Sequence, residues 1–249
     1  MPERSEAVLR VCALYPDLMN IYADRGNLIV LERRCAWRGI GFELVASRLG
    51  EPLDGERHDL FYIGGGQDRD QRLCAEDLLA LKAQALKVAA ERGAVVLGVC
   101  GGYQLLGRSY TIDSEEIEGV GLLDLNTVRE DGPRLIGNVA IEPTGLPGLP
   151  AGAVLAGFEN HGGRTVLAPG QAALGRVLKG FGNDGRSGLE GAISENTIGT
   201  YLHGPLLPKN VWFADWLIQT ALGLSEPLAP LDDRLESDAH AEARRAAGL

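Results

Sequence analysis

Cys100 sits within residues 94–107, AVVLGVCGGYQLLG, where an apolar run meets a cysteine, two glycines and a segment able to start a helix. The run Ala94-Val95-Val96-Leu97 suits a strand buried on both faces. Gly98, Gly101 and Gly102 allow a sharp strand-to-helix turn without a Cβ clash. A cysteine at such a turn has the layout of a nucleophile elbow. The helix N-terminus offers its positive dipole end and N–H groups to the sulfur, which favours thiolate. The same N–H groups can hold a developing oxyanion. The competing reading is a small buried hydrophobe, as most cysteines are.

A cysteine nucleophile needs a base, and the chain has four histidines. His58, in a polar connection, and His240, in a charged tail, read as solvated. His161, in Phe158-Glu159-Asn160-His161-Gly162-Gly163, and His203, in Thr200-Tyr201-Leu202-His203-Gly204-Pro205, each follow a strand-like run and precede glycine. Both are therefore presented at strand ends. His203 is the better base, because it stands where a strand gives way to a loop just before a helix. A Cys–His pair is close in the fold rather than in sequence, so the distance along the chain is no objection. The triple glycine Gly64-Gly65-Gly66 fails as a phosphate loop, with neither a following Lys-Ser/Thr nor a G-x-G-x-x-G pattern. It fits as the donor of one backbone N–H to an oxyanion, or as an ordinary tight turn.

The elements that must carry these groups alternate. Residues 7–14, 42–46, 60–63 and 94–97 read as strands. Residues 28–38 and 70–92 read as helices, with Asp24-Arg25-Gly26-Asn27 as a turn or helix cap. This order argues for an α/β fold with a parallel sheet and helices on both faces. Ligands in such sheets sit beyond the carboxyl ends of the strands, where both the triple glycine and Cys100 fall. The second half changes character. Short strand-like runs at 121–128, 135–142, 153–158, 174–178, 191–194 and 198–202 are separated by Gly and Pro, which suggests antiparallel additions. Residues 211–222 form an amphipathic helix. The segment from about 230 to 249 is a charged C-terminal helix or tail, either a surface helix or a partner-docking one. No domain boundary is visible, so residues 1–249 read as one domain.

Composition narrows the partners. With 24 Lys and Arg against 34 Asp and Glu, the formal net charge of −10 argues against nucleic acid. No apolar run approaches the roughly 20 residues that span a bilayer, and the N-terminus lacks a signal-peptide layout. Four cysteines without a C-x-x-C pair argue against a metal site and suit a cytoplasmic chain with free thiols.

Taken together, these residues resemble a known family. Gly98-x-Cys100-x-Gly102-x-Gln104 is similar to the nucleophile motif of class I (Triad-type) glutamine amidotransferases. Residues 14–20 (LYPDLMN), 24–27 (DRGN), 62–68 (YIGGGQD), 159–165 (ENHGGRT) and 201–205 (YLHGP) resemble the CobB/CobQ-like branch. The resemblance covers residues 8 to about 222 and implies a flavodoxin-like three-layer fold, with a mostly parallel central sheet and antiparallel strands added in the second half. In the wider class a glutamate two residues after the histidine completes a triad; here that place is Pro205, a departure typical of the branch. A first strand beginning by residue 7 leaves no room for the fused synthetase domain of cobyric acid synthases. A free-standing unit, with residues 133–138 (PRLIGN), resembles the GatD subfamily, the glutaminase subunits of lipid II isoglutaminyl synthase.

That resemblance implies a division of labour. Cys100 attacks L-glutamine, His203 is the base, and the N–H groups of Gly101 and of Gly65 or Gly66 form the oxyanion hole. Gln104 and His161 line the substrate pocket, and Arg134 binds the α-carboxylate. Ammonia passes to a Mur-ligase-like synthetase (MurT) in a heterodimer. ATP and Mg²⁺ belong to that partner, which amidates the D-glutamate α-carboxyl of lipid II in peptidoglycan synthesis, and this chain needs no cofactor of its own. Alternative readings are an amidotransferase of cobyric-acid type, a cysteine peptidase or chaperone of the same fold, and a non-catalytic binding module. The peptidase relatives place histidine directly after the cysteine, where this chain has Gly101.

Overall fold

A computed structural model describes residues 7–21, 24–112 and 115–249; residues 1–6, part of the N-terminus read for a leader, lie outside the described residues. The first half contains β1 (Val8–Leu14), α1 (Arg25–Trp37), β2 (Gly41–Ser47), β3 (Leu60–Ile63), α2 (Asp68–Asp77), α3 (Ala83–Glu91), β4 (Val95–Val99) and α4 (Gly101–Leu106). The second half contains β5 (Ser109–Ile112), β6 (Glu115–Glu118), β7 (Leu125–Arg129), β8 (Leu135–Pro143), β9 (Leu155–His161) and β10 (Gly163–Leu167). It continues with β11 (Gly175–Lys179), β12 (Leu189–Glu190), β13 (Ala192–Ser194), β14 (Thr197–Thr200), α5 (Leu206–Lys209), α6 (Val211–Ala221) and α7 (Arg234–Ala247).

The central sheet has the order β13-β14-β4-β3-β1-β2. Its five inner and β2-side strands run parallel, and only β13 is antiparallel to its neighbour. This is the doubly wound order expected of a flavodoxin-like α/β chain. The sequence explains which strands take the middle. Every residue of β3 (LFYI) and β4 (VVLGV) is buried, as a strand covered by helices on both faces requires. β2 (GFELVAS) exposes Glu43, Leu44 and Val45 and lies at an edge. On α1, Leu28, Leu31 and Cys35 recur at helical spacing and face the sheet.

Two further sheets form from the second half, with orders β10-β7-β5-β6 and β12-β11-β8-β9, so the expected antiparallel additions are present. Several elements were not foreseen. β5 and β6 form a hairpin too polar to stand out (SYTI and EEIE), and β10, β12 and the single-turn α5 are equally short. The helix expected over 70–92 starts at Asp68 and is interrupted by a π-helical turn, Leu78–Lys82. There the Lys82 ammonium is buried against the Asp77 carboxylate and lies 4.7 Å above the Tyr15 ring. His58, expected in solvent, is instead buried, with Nδ1 3.2 Å from the Asp54 carbonyl and its ring edge-on to Phe61. His240 is half-buried and holds the Lys209 carbonyl at 2.8 Å. This contact, with the bond from Asn138 Nδ2 to the Ala246 carbonyl, lays α7 along the body although the helix buries none of its own residues. All four cysteines are free thiols, and no described helix is long and apolar enough to cross a membrane.

Candidate active site

Three neighbouring strands end at one level. Ile63 of β3 pairs with Gly98 of β4, and Thr200 of β14 pairs with Val99. The residues that leave these strands are Gly64-Gly65-Gly66, Cys100 and, after two more residues, His203. Parallel register therefore delivers the three predicted groups to the carboxyl edge of the sheet.

Cys100 has φ 54° and ψ −105°, the left-handed region that costs a non-glycine residue about 1–3 kcal/mol. The strain sits on the cysteine itself, while the adjoining glycines serve close approach. A Cβ on Gly102 would lie 2.2 Å from the Ile63 carbonyl oxygen, and the Gly102 N–H donates to the Gly64 carbonyl at 3.0 Å. The elbow is thus sewn to the triple-glycine loop. Burial works against the expected thiolate. Burial first, then the charge of Asp24, push the Cys100 thiol up to about 12, against the downward pull of the Gly101 N–H and Arg134. A six-residue helix cannot offset the loss of solvent around a sulfur that is 7 % exposed.

The glycine loop divides its N–H groups. Gly65 N–H donates to Asp24 Oδ2 at 2.6 Å. Gly66 N lies 3.1 Å from the point a Cβ on Gly101 would occupy, and Gly66 lines the same cleft as Cys100. Of the two loop glycines considered for an oxyanion hole, Gly66 shares the cleft with Cys100 and the Gly65 N–H is engaged by Asp24.

The cleft in front of Cys100 is narrow, about 100 Å³, and Gln104, Arg134 and His161 all line it. Arg134 is pinned by Asn160, with Nε on its side-chain oxygen at 2.7 Å and Nη2 on its carbonyl at 2.8 Å. The Gln104 amide is held at both ends, by Gln71 Nε2 at 2.7 Å and the Tyr201 hydroxyl at 3.0 Å. The His161 ring lies flat on Tyr201, centroids 3.6 Å apart, and its Nδ1–H is directed to the Gly163 carbonyl at 2.9 Å. A larger groove of about 400 Å³ lies between β1, β2 and α1, but neither Cys100 nor a histidine lines it.

His203 is buried and is not among the residues that line this cleft; its backbone is bridged to Phe158 of β9 through bonds of 3.1 and 2.9 Å. Burial first, then the neighbouring His161, Arg134 and Lys209, hold its imidazole down at about 3, which favours the neutral form. No acid comes from the position two residues on. Pro205 packs on α1, its Cγ 2.9 Å from the point a Cβ on Gly26 would take. The buried carboxyls nearby are engaged with backbone. Glu190 accepts from Tyr201 N at 2.6 Å and is pushed up to about 8 by burial. Glu159 accepts from Phe181 N at 2.7 Å and Gly182 N at 2.9 Å.

Several residues here escaped sequence reading. Arg129, at the end of β7, puts a second guanidinium at the cleft, packed over Gly162. Tyr201 carries His161 and Gln104 and is tied through Thr165 to Thr127. Asp24 and Asn160 each act across dozens of residues. Tyr201 and Asn160 lie inside the two histidine segments and Asp24 inside the DRGN motif, so Arg129 alone of these four carried no signal.

A family model described as the CobB/CobQ-like glutamine amidotransferase domain matches residues 10–211. Subunit GatD of the glutamine-hydrolysing lipid II isoglutaminyl synthase of Staphylococcus aureus is 42% identical over 206 residues, 82% of this chain and 81% of that protein. Its counterpart from Streptococcus pneumoniae is 36% identical over 215 residues, 86% of this chain and 80% of that protein. Cobyric acid synthase of Pelotomaculum thermopropionicum is 35% identical over 220 residues, 80% of this chain but 38% of that protein. Among solved structures, a glutamine amidotransferase from Thermotoga maritima shares the fold at TM-score 0.54 and 19% identity, over 96% of this chain and 94% of that one.

Proposed function

Because the chain belongs to the CobB/CobQ-like glutamine amidotransferase family, we propose that it is the glutaminase subunit of a lipid II isoglutaminyl synthase, with Cys100 as nucleophile and His203 as base. The similarity to the two GatD subunits, over about four-fifths of each chain, carries the assignment. It favours lipid II over the cobyric acid reading, whose relative is matched over a minor part of its length.

The chemistry is acyl transfer through sulfur. The Cys100 sulfur bonds to the side-chain amide carbon of glutamine as its proton passes to His203. Negative charge gathers on the amide oxygen, between the N–H of Gly101 and that of Gly66. The tetrahedral adduct collapses, His203 returns the proton to nitrogen, and ammonia leaves. Water then splits the γ-glutamyl thioester, giving glutamate and the free thiol. Arg134, held by Asn160, forks onto the substrate α-carboxylate. The ammonia goes to a Mur-ligase-like synthetase, which would hold ATP and Mg²⁺ and activate the D-glutamate α-carboxyl of the stem peptide.

In this chain burial favours a neutral thiol on Cys100 and a neutral imidazole on His203. Pro205 stands where the wider class has its orienting glutamate, and an acid of the partner is the proposed third member. Co-expression with the synthetase tests this reading. Glutamine hydrolysis is expected to be weak alone and much faster in the complex, with lipid II amidated at the expense of glutamine. Equal hydrolysis with and without the partner contradicts the shared site, and absence of glutamine-dependent amidation contradicts the assignment.

A further inference from the structure

Asp24 occupies the N-cap position of α1, yet its side chain makes no cap hydrogen bond. An aspartate there ordinarily accepts from the second or third N–H of its own helix, a bond worth about 1 kcal/mol. Its Oδ2 instead takes the Gly65 N–H at 2.6 Å, 41 residues away. The carboxyl is fully buried, and its other oxygen has no hydrogen-bond partner among the described residues. A buried acid that forgoes its local cap and leaves one oxygen unpaired incurs a desolvation cost, so the bond it keeps has a use.

The surroundings show what that bond does. Oδ2 also lies 3.1 and 3.3 Å from the points that Cβ atoms on Gly64 and Gly65 would take, so the carboxylate packs flush against the loop. The loop is tied at three successive places. Gly64 accepts from Gly102 N at 3.0 Å, Gly65 donates to Asp24, and the Gly65 carbonyl accepts from Ile21 N at 3.2 Å. Next to Gly65, the Gly66 nitrogen lies 3.1 Å from the point a Cβ on Gly101 would take, and Gly66 lines the cleft with Cys100.

We propose that Asp24 is a positioning residue for the reaction at Cys100, holding Gly65 N–H so that Gly66 N–H faces the forming oxyanion. It touches no substrate. Burial pushes its carboxyl up to about 7, against the pull of the Gly65 N–H, and a carboxyl protonated on Oδ1 still accepts at Oδ2. The acceptor, not the charge, is what the loop requires, and an asparagine supplies that acceptor.

This inference rests on glutamine hydrolysis at Cys100, so wild type and Cys100→Ala are measured first, in the full chain with its synthetase. If wild type releases no more glutamate than Cys100→Ala, the functional assignment fails; if it does release more, Asp24 can be judged. Asp24→Ala is expected to lower kcat roughly ten- to a hundredfold, less than the roughly 10²–10³ for outright removal of an oxyanion donor because the Gly66 N–H is misaligned and not lost, with KM for glutamine within about threefold. Asp24→Asn is expected to stay within about threefold of wild type in both. Amide hydrogen exchange at Gly65 is expected to quicken at least tenfold in Asp24→Ala and to stay slow in Asp24→Asn, while β3 amides remain unchanged; this reads the loop directly. An Asp24→Ala enzyme with wild-type kcat overturns the proposal. So does an Asp24→Asn enzyme as impaired as a tenfold loss, which would make the charge the working feature, and that variant alone suffices should Asp24→Ala fail to fold.

Discussion

The Cys100 N–H donates to the Thr200 carbonyl at 2.8 Å. Nucleophile elbow and histidine segment are thereby joined by the main chain of two parallel strands, 100 residues apart in sequence. The tolerance is small, because Gly199 on β14 lies against the Tyr103 ring and a Cβ there would come within 1.9 Å of it.

Gly199→Ala is expected to push β14 off β4 or Tyr103 out of place. Such overpacking costs about 1–3 kcal/mol, read as a lower urea midpoint, and the shifted His203 segment costs turnover in the fraction that remains folded. A variant with normal stability and normal turnover would show that the strand register does not set the Cys–His geometry.

The thiol of Cys100 in the isolated chain ionises only toward pH 12. Its alkylation by iodoacetamide is therefore expected to accelerate about tenfold per pH unit from 7 to 9, without levelling, because the thiolate is the reactive form. A plateau near neutrality would mean a preformed thiolate–imidazolium pair. Alkylation of the complex at neutral pH is expected to be faster than of the chain alone.

Arg134→Ala is expected to raise KM for glutamine more than it lowers kcat. Loss of a charged hydrogen-bonding group costs about 1.5–3 kcal/mol, which is roughly ten- to a hundredfold. Arg134→Lys recovers little of this, since an ammonium cannot fork onto a carboxylate. Asn160→Ala, which frees the guanidinium, falls between wild type and Arg134→Ala in steady-state assays. Equal KM values across the series would move the α-carboxylate to Arg129.

Arg34, 1 % exposed, makes paired hydrogen bonds to both Asp215 and Asp233. It fastens α1 to α6 and to the start of α7. Arg34→Ala leaves two carboxylates facing a hole and is expected to cost about 3 kcal/mol in denaturant unfolding, with turnover per folded molecule unchanged. A loss under about 1 kcal/mol would mean that Arg38, which also bonds Asp215, suffices.

The parallel half of the fold was legible because its central strands are short apolar runs, as in LFYI before Gly64-Gly65-Gly66 and VVLGV before Cys100. Cys100 and His203 were legible for the same reason, since strand ends announce themselves. β6 was not, because EEIE buries one residue of four. The partner of Asp24 was invisible for a different reason. An aspartate before a helix reads as a cap from local propensity alone, and only the packing of β3 against the segment before α1 shows that its oxygen goes to Gly65. The burial that opposes the helix-end pull on Cys100 was not legible, because helix-end electrostatics are local in sequence, whereas burial is set by the whole fold. The π turn at Leu78–Lys82 leaves no mark in the hydrophobic period.

The most direct measurement of the account is amidation of lipid II by the co-expressed complex, with glutamine or with ammonium as nitrogen source, comparing wild type with Cys100→Ala. The account predicts that Cys100→Ala loses glutamine-dependent amidation to background and keeps ammonium-dependent amidation near the wild-type rate. Glutamine-dependent amidation that survives in Cys100→Ala would contradict it.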